Sequence, residues 1–417
     1  MVLHSHRVKL KGGGPLAQLT QYQPDARGPL AGLRVVDMTR LAAGNMVTHM
    51  LADFGADVIK IERPGSGDDL RRFGEAESWW KVYARSKRSL TLDFRTDEGR
   101  EVLERLIAGA DILCENFVPG TLEKWDLGSQ RLWEINEGLI ILRVSGWGQT
   151  GPYRDKPGFG SLIEGMSGFA AMTGWEDKPP LLPPLALADM VAGLAGFGGV
   201  LSAVVARATG AAKGQEVDLS LFEPLFGILG PWAAQFEATG QVPRRMGNAS
   251  DVAAPRGLYP TKDGKHIAMS ASMQSMWEKL ARAMGHPEWL SDPRFETPQG
   301  RIANQAALDA LIGAVMQTRT LEENLAYYEA QGVTVGPICD ISDLVDHPYV
   351  RGRGVLQDFP HEEMTRLPMH TAFPRLSATP GVVRAPAPKL GEHTGEVLEE
   401  LGYDPAARAA LEAKGVL

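Results

Sequence analysis

The chain has 417 residues, 44% hydrophobic and 23% charged, an ordinary balance for a folded protein with more than one packing unit. Its net charge of −8 argues against nucleic acid or an anionic membrane as partner, so a phosphate-bearing ligand would need a local basic patch. Two cysteines, Cys114 and Cys339, make no disulfide framework, and the sparse histidines offer no structural zinc site.

Residues 1–29 read as a loose lead-in around Gly12-Gly13-Gly14-Pro15. They carry basic residues but no apolar core of a secretory signal, so a cytoplasmic location is expected. A repeated pattern follows. Leu33–Met38 (LRVVDM) is a short β-rich run, residues 40–54 have helical spacing, and Gly55 stops that helix. Further strands are expected at Asp57–Ile61, Leu90–Phe94, Ile112–Glu115 and Leu139–Val144, with an amphipathic helix at Asp97–Ala110. Apolar strands alternating with helices predict an α/β fold, a parallel sheet covered on both faces. Ligands on such sheets sit at the carboxyl ends of the strands, so the loops after Met38, Ile61 and Glu115 are the places to look.

Next comes a long, small-residue, apolar helix that ends at Gly210, then an alternating strand from Gln215 to Leu221. The helix carries an acid and many glycines and is closed by Arg207, which reads as a buried core helix rather than a membrane span. Its one acid, Asp189, lies at its mouth. The macrodipole and free N–H groups there stabilise an anion, so Asp189 reads either as an N-cap or as a carboxylate nucleophile kept ionised. Residues 224–245 have no clear period and read as a linker. A smaller, mostly α second domain is expected over 246–332, with an Asp263-Gly264 hairpin and helices at Gln274–Met284, Gln305–Gln317 and Leu321–Gln331. From 333 to 417 the chain has many turns, a Pro-rich run and a final helix at Thr394–Leu401.

Gly146-Trp147-Gly148-Gln149-Thr150-Gly151 matches a dinucleotide fingerprint after a strand. Pro152 follows at once and a loop replaces the helix, so a close backbone approach is the better reading and a nicotinamide enzyme is disfavoured. Arg63, Arg71, Arg72, Arg85, Lys87, Arg88, Arg95 and Lys124 cluster after strand ends, either as a solvated face or as phosphate holders. Phe117, in Asn116-Phe117-Val118-Pro119-Gly120, could stack an aromatic base or fill the core. No serine-hydrolase elbow, Walker loop or His-Glu-x-x-His occurs.

From Leu30 to Gly402 the chain resembles the class III CoA-transferases, a group that includes formyl-CoA and carnitine CoA-transferases and the α-methylacyl-CoA racemases. LAGLRVVDMTRLAAG, LADFGADVIKIERPGSGD, ADILCENFVPGTLEKWDL, SGWGQTGPY, LADMVAG and TGAAKGQEVDLSLFE carry the likeness. The resemblance implies a large doubly wound, Rossmann-like domain (30–223 plus part of 333–417), a small domain, and two subunits threaded as an interlocked homodimer. It implies that Asp189 is the catalytic nucleophile, passing through an aspartyl anhydride and an aspartyl-CoA thioester. CoA contacts fall on Arg63, Leu92, Arg95, Asn116, Phe117 and Lys124, with Leu41, Ala42 and Ala43 near the thioester. CoA and acyl-CoA are then substrates, with no permanently bound cofactor, and the partners are an acyl-CoA and a carboxylic acid. Succinyl-CoA or another small dicarboxylyl-CoA is the expected donor.

Three departures refine this. Gly158-Phe159-Gly160 stands where the racemases carry Gly-His-Asp, which removes one partner of a two-base racemisation and favours transfer. Ala42 replaces a glutamine of formyl-CoA transferase, and residues 249–254 replace its glycine run, so formyl/oxalate specificity is not expected. Gly160 also meets a glutamate of that enzyme, so no second acid is carried over. The competing readings are an acyl-CoA racemase or epimerase and a non-catalytic acyl-CoA-binding relative.

Overall fold

The computed structural model describes residues 19–417. The expected lead-in falls partly outside them, in residues 1–18. Its remainder is docked rather than loose: Thr20 N donates to Asp358 O at 2.8 Å, and Tyr22 stacks on Phe359 with ring centroids 5.1 Å apart.

The chain forms two compact units. The first comprises residues up to Ser167, Pro183–Gly230 and Pro348–Leu417; the second comprises Gly168–Leu182 and Pro231–His347. The first unit begins with β1 (Arg34–Asp37), α1 (Leu41–Asp53), β2 (Asp57–Glu62), α2 (Ser78–Tyr83), β3 (Lys87–Thr91) and α3 (Asp97–Ala108). It continues with β4 (Ile112–Glu115), α4 (Thr121–Lys124), α5 (Ser129–Ile135), β5 (Ile140–Ser145) and α6 (Gly160–Met166). After α7 (Phe169–Met172), which belongs to the second unit, come α8 (Leu187–Ala208), β6 (Gln215–Ser220) and α9 (Phe222–Ile228).

The six strands form one parallel sheet in the order β3-β2-β1-β4-β5-β6. That is the doubly wound order, and it reverses between β1 and β4, where a ligand crevice opens. The pleat divides each strand's side chains between two cores. Val36, Ile59, Leu90, Leu113 and Ile141 face α3 and the C-terminal helices, packing with Leu106, Val397 and Leu411. Val35, Val58, Ile112, Cys114 and Leu142 face α1 and α8, packing with Val47, Leu51 and Val200. Each fully buried aliphatic side chain contributes roughly 1.5–3 kcal/mol of transfer free energy.

Local signals explain the elements. Thr96 caps α3 by accepting Gly99 N at 3.1 Å, and Asp97 and Glu98 sit in its first turn. By length and composition α8 could cross a membrane. Here its glycines let it press on α1: a Cβ at Gly193 would lie 2.4 Å from Met46, and one at Gly196 would lie 2.8 Å from Val47. Only one side of α8 is covered, however, and Leu194 and Val205 on the other side are 44% and 59% exposed. The expectation of a wholly buried helix is corrected to that extent.

The last part of the chain returns to the edge of this sheet. Arg88 of β3 pairs with Asp57, Glu396 and Glu400, Arg34 pairs with Glu400, and Trp80 Nε1 donates to Pro388 O at 3.0 Å. Glu396 and Glu400 lie on the helix Thr394–Glu400.

The second unit holds α10 (Trp232–Thr239), β7 (Arg256–Pro260), β8 (His266–Ser270), α11 (Gln274–Ala283), α12 (Pro298–Ala303), α13 (Gln305–Met316), α14 (Leu321–Ala330), β9 (Val335–Pro337) and α15 (Ile341–Leu344). Its strands form an antiparallel sheet β7-β8-β9. The core lies around Trp277, Phe295, Leu308, Ile312 and Tyr328. The stretch 224–245, expected as a linker, instead carries most of α9 and all of α10. Pro231 opens α10 and Gly240, with φ +68°, closes it; that punctuation holds a helix whose composition has no period. Beyond His347 lie α16 (Pro348–Gly352), the hairpin β10 (Leu356–Phe359) and β11 (Leu367–His370), α17 (Thr394–Glu400) and α18 (Pro405–Ala413).

Candidate active site

The crevice is built on the loop between β1 and α1. Asp37, at the end of β1, is fully buried. It accepts from Thr39 N at 3.0 Å and from Thr48 Oγ1 at 2.6 Å, and Lys60 and Lys87 stand 3.3 and 3.1 Å away. Burial works against its charge, but the two ammonium groups and these hydrogen bonds hold the carboxyl well below the usual range. Burial in turn lowers Lys87 to about 8. Lys60 also donates to Thr39 O and meets Asp68 at 3.0 Å. Asp68 accepts from Leu41 N at 3.0 Å and Asn45 Nδ2 at 2.8 Å. Asn116 clamps Arg40 from β4, accepting from its N–H at 2.8 Å and donating to its carbonyl at 2.7 Å. These bonds hold Leu41 at φ +58°, a strained conformation for a leucine, and so fix where α1 begins.

Asp189 faces that beginning. It is in the first turn of α8 but is not the N-cap: that place is taken by Ala186, which makes no side-chain cap. The cap reading of Asp189 is therefore corrected. The backbone N–H groups of Ala43, at the start of α1, and of Asp189 itself favour its ionised form. Two helix N-termini thus converge on one carboxylate. Even so, burial first, and the charge of Glu164 second, raise Asp189 to about 6. It is ionised at neutral pH but binds a proton more tightly than an exposed aspartate. Gly160 leaves room for it: a Cβ there would stand 2.6 Å from Asp189 Oδ2.

Glu164 was missed at the sequence level, where no second acid was expected. It follows Gly160 by one helical turn on α6, is 3% exposed, and accepts from Ala188 N at 3.2 Å. The i, i+4 spacing from Gly160 was the available signal.

Two adjoining clefts open at the carboxyl edge. One, of about 650 Å³, is lined by Leu41, Ala43, Asn116, Phe117 and Asp189, and by Phe159 and Lys156. The other, of about 440 Å³, is lined by Arg63, Leu92, Arg95 and Phe117, and by Trp125. Arg40, Asp69 and Phe117 border both. Phe117 is set by Glu115, which accepts its N–H at 2.6 Å, and it meets Trp125 edge-on at 5.2 Å. Phe94 completes the aromatic wall, 5.4 Å from Trp125. Ala42 and Lys124 line neither cleft; Lys124 is exposed on α4.

The basic cluster divides. Arg63 and Arg95 are exposed at the second cleft, Arg95 resting on Asp93 at 2.6 Å. Arg72 also lines that cleft and pairs with Asp69. Arg71, Arg85, Lys87 and Arg88 are neither a solvated face nor phosphate holders; they pair with Glu62, Asp53, Asp37 and Asp57 inside the fold. The glycine-rich segment after β5 does serve a close backbone approach: a Cβ at Gly146 would lie 2.5 Å from Gly158 Cα.

A family model described as CoA-transferase family III matches residues 30–394. The succinyl-CoA–D-citramalate CoA-transferase of Chloroflexus aurantiacus is 39% identical over 395 residues, covering 93% of this chain and 98% of its own. The succinyl-CoA–L-malate CoA-transferase beta subunit of the same organism is 40% identical over 382 residues, with 89% and 94% covered. Among solved structures, a CaiB/BaiF family protein from Brucella suis superposes with a TM-score of 0.79 at 36% identity, covering 90% of this chain and 100% of its own.

Proposed function

The chain belongs to CoA-transferase family III, and from that membership we propose that it moves CoA from succinyl-CoA to a small dicarboxylic acid, with Asp189 as the nucleophile. The observation that carries this reading is the Asp189 carboxylate in the first turn of α8, lining the larger cleft together with Leu41 and Ala43 of α1 and with Asn116 and Phe117. The substrate class is drawn from the relatives, whose names give succinyl-CoA as donor and citramalate or malate as acceptor.

In the proposed cycle Asp189 attacks the thioester carbonyl, the C–S bond breaks, and the electron pair leaves on the thiolate. The thiolate then attacks the aspartyl carbonyl of the mixed anhydride and releases succinate, leaving an aspartyl-CoA thioester. The acceptor carboxylate repeats the two steps in reverse order and restores the Asp189 carboxylate. Ala43 N–H, at the start of α1, would stabilise the oxyanion that forms at the aspartyl carbonyl. Arg63 and Arg95 would hold the CoA phosphates, and Leu92, Asn116 and Phe117 the nucleotide side. Leu41, Ala42 and Ala43 would lie at the thioester. For Ala42 and Lys124 the assignment rests on the resemblance alone.

The exposed apolar side chains of α8 and α9, Leu194, Val205, Phe226 and Ile228, support the interlocked homodimer. A cytoplasmic site of action and the absence of a resident cofactor belong to the same reading.

The test is intact-protein mass spectrometry after incubation with a panel of acyl-CoAs, wild type beside Asp189→Ala. A CoA adduct on the wild type alone, mapped to the Asp189 peptide, supports the reading. Deuterium uptake at the α-carbon of an acyl-CoA without any adduct would replace it with the isomerase reading.

A further inference from the structure

Glu164 is a buried acid for which the proposed cycle has no role. Its carboxylate is fixed by Ala188 N–H at 3.2 Å, and the point where a Gly160 side chain would begin lies 3.8 Å from Glu164 Oε1 and 2.6 Å from Asp189 Oδ2. Two acids thus border one small space that glycine leaves empty. The other ionisable groups near Asp189 have their own partners. On α1, Asp53 pairs with Arg85 and His49 meets His370. On β6, Asp218 accepts from Gln149 N, and at α9 Glu223 bonds Ser220. Along the cleft wall Arg40 is held by Asp69, Arg154 stands 3.5 Å from Asp155, and Lys156 lies over the Tyr153 ring. Glu164 is the charge that reaches the nucleophile.

We propose that Glu164 is a positioning residue that drives Asp189 forward: a fixed negative charge beside the resting carboxylate, whose repulsion is relieved each time Asp189 becomes an uncharged anhydride or thioester. The inference rests on Asp189 being the nucleophile. In the first step the new bond joins Asp189 Oδ to the acyl carbon, the C–S bond breaks, and the negative charge moves to the thiolate sulfur, away from Glu164. No proton need be transferred. The cost of crowding two like charges falls on the resting enzyme alone, and the step that discharges one of them is favoured. A carboxylate destabilised in this way is also the better nucleophile.

The informative variant is Glu164→Gln, which keeps an oxygen to accept Ala188 N–H and removes the charge. The proposal expects thermal stability at pH 8 no lower than wild type, since the repulsion is relieved, kcat/KM at pH 8 reduced about tenfold, and the acid limb of the pH profile moved down by about one unit. A purely structural role predicts instead a wild-type rate and pH profile in Glu164→Gln, with loss only in Glu164→Ala, and that result overturns the inference. Glu164→Asp keeps the charge and should stay closer to wild type than Glu164→Gln. A separate readout needs no turnover: 13C-carboxyl NMR of labelled aspartate, assigned with Asp189→Asn, follows the Asp189 titration directly. Its midpoint should fall by about one unit in Glu164→Gln, and an unmoved midpoint refutes the coupling. If the wild type forms no adduct with any acyl-CoA, the transferase reading fails, while this titration still decides whether Glu164 acts on Asp189.

Discussion

Replacing Asp189 with asparagine should abolish transfer and stabilise the fold. The folded carboxyl titrates near 6 against an ordinary value of 3.8, because it is buried and lies beside Glu164. A difference of about two units corresponds to at most about 3 kcal/mol, at ~1.36 kcal/mol per unit. The sign follows from the direction. A carboxyl whose pKa is raised on folding binds its proton more tightly in the native state, so its ionised form costs stability. That cost is fully present above the folded value and disappears as the pH falls below the unfolded one. Asparagine has nearly the same shape as aspartate and carries no charge. Asp189→Asn should therefore melt about 5 °C above wild type at pH 8, at ~2 °C per kcal/mol for a unit of this size, and together with it near pH 3.5. Differential scanning calorimetry across that range reads the effect. A variant that melts at or below wild type at pH 8, or an offset that does not change with pH, refutes the electrostatic reading of the site.

Gly160→Ala should fold normally, since alanine suits the first turn of α6, but its methyl would press on Asp189 Oδ2 from 2.6 Å. Displacing a nucleophile by such an amount costs about a hundredfold in kcat, so a wild-type kcat would count against Asp189 as the reacting group. Asp37→Asn strips the buried Lys87 of its counter-charge and leaves Lys60 with Asp68 alone, and should cost ~3–5 kcal/mol in urea unfolding at pH 7. Because the folded Asp37 carboxyl is held low, its contribution is full above the ordinary carboxyl range and is lost as the pH falls from there through the lowered folded value. The gap between variant and wild type should therefore narrow in acid. Arg63→Ala and Arg95→Ala should each raise KM for the acyl-CoA about tenfold at low salt, less at high salt, with kcat preserved; equal losses in kcat would place them elsewhere in the mechanism.

The parallel sheet was legible because its strands are short apolar runs buried on both faces, and the loops after β1, β2 and β4 followed from strand polarity alone. The fate of the arginines was not legible. Arg88 meets Glu400 across 312 positions of sequence, so nothing near it shows that its charge is already matched. Glu164 was hidden for a different reason: its neighbour Asp189 lies on another helix, and only α6 carries the acid to it. α18 had a readable start, Asp404 before Pro405, with the Asp404 side chain accepting Ala407 N at 2.8 Å.

The return of Pro348–Leu417 to the β3 edge sets an order of events during synthesis. A ribosome releases all six strands of the sheet and the whole second unit before it makes Glu396, Glu400 and the carbonyl of Pro388. Residues 231–347 can close as they emerge, because the only other part of their unit, Gly168–Leu182, has already been made. The sheet cannot finish in the same way: the face covered by α3 stays incomplete until Val397, Leu398 and Leu411 arrive. A nascent chain halted at His347 therefore presents a finished small unit and a sheet face only part-covered by α3. That is the species a chaperone would meet, and a C-terminal truncation would make it permanent.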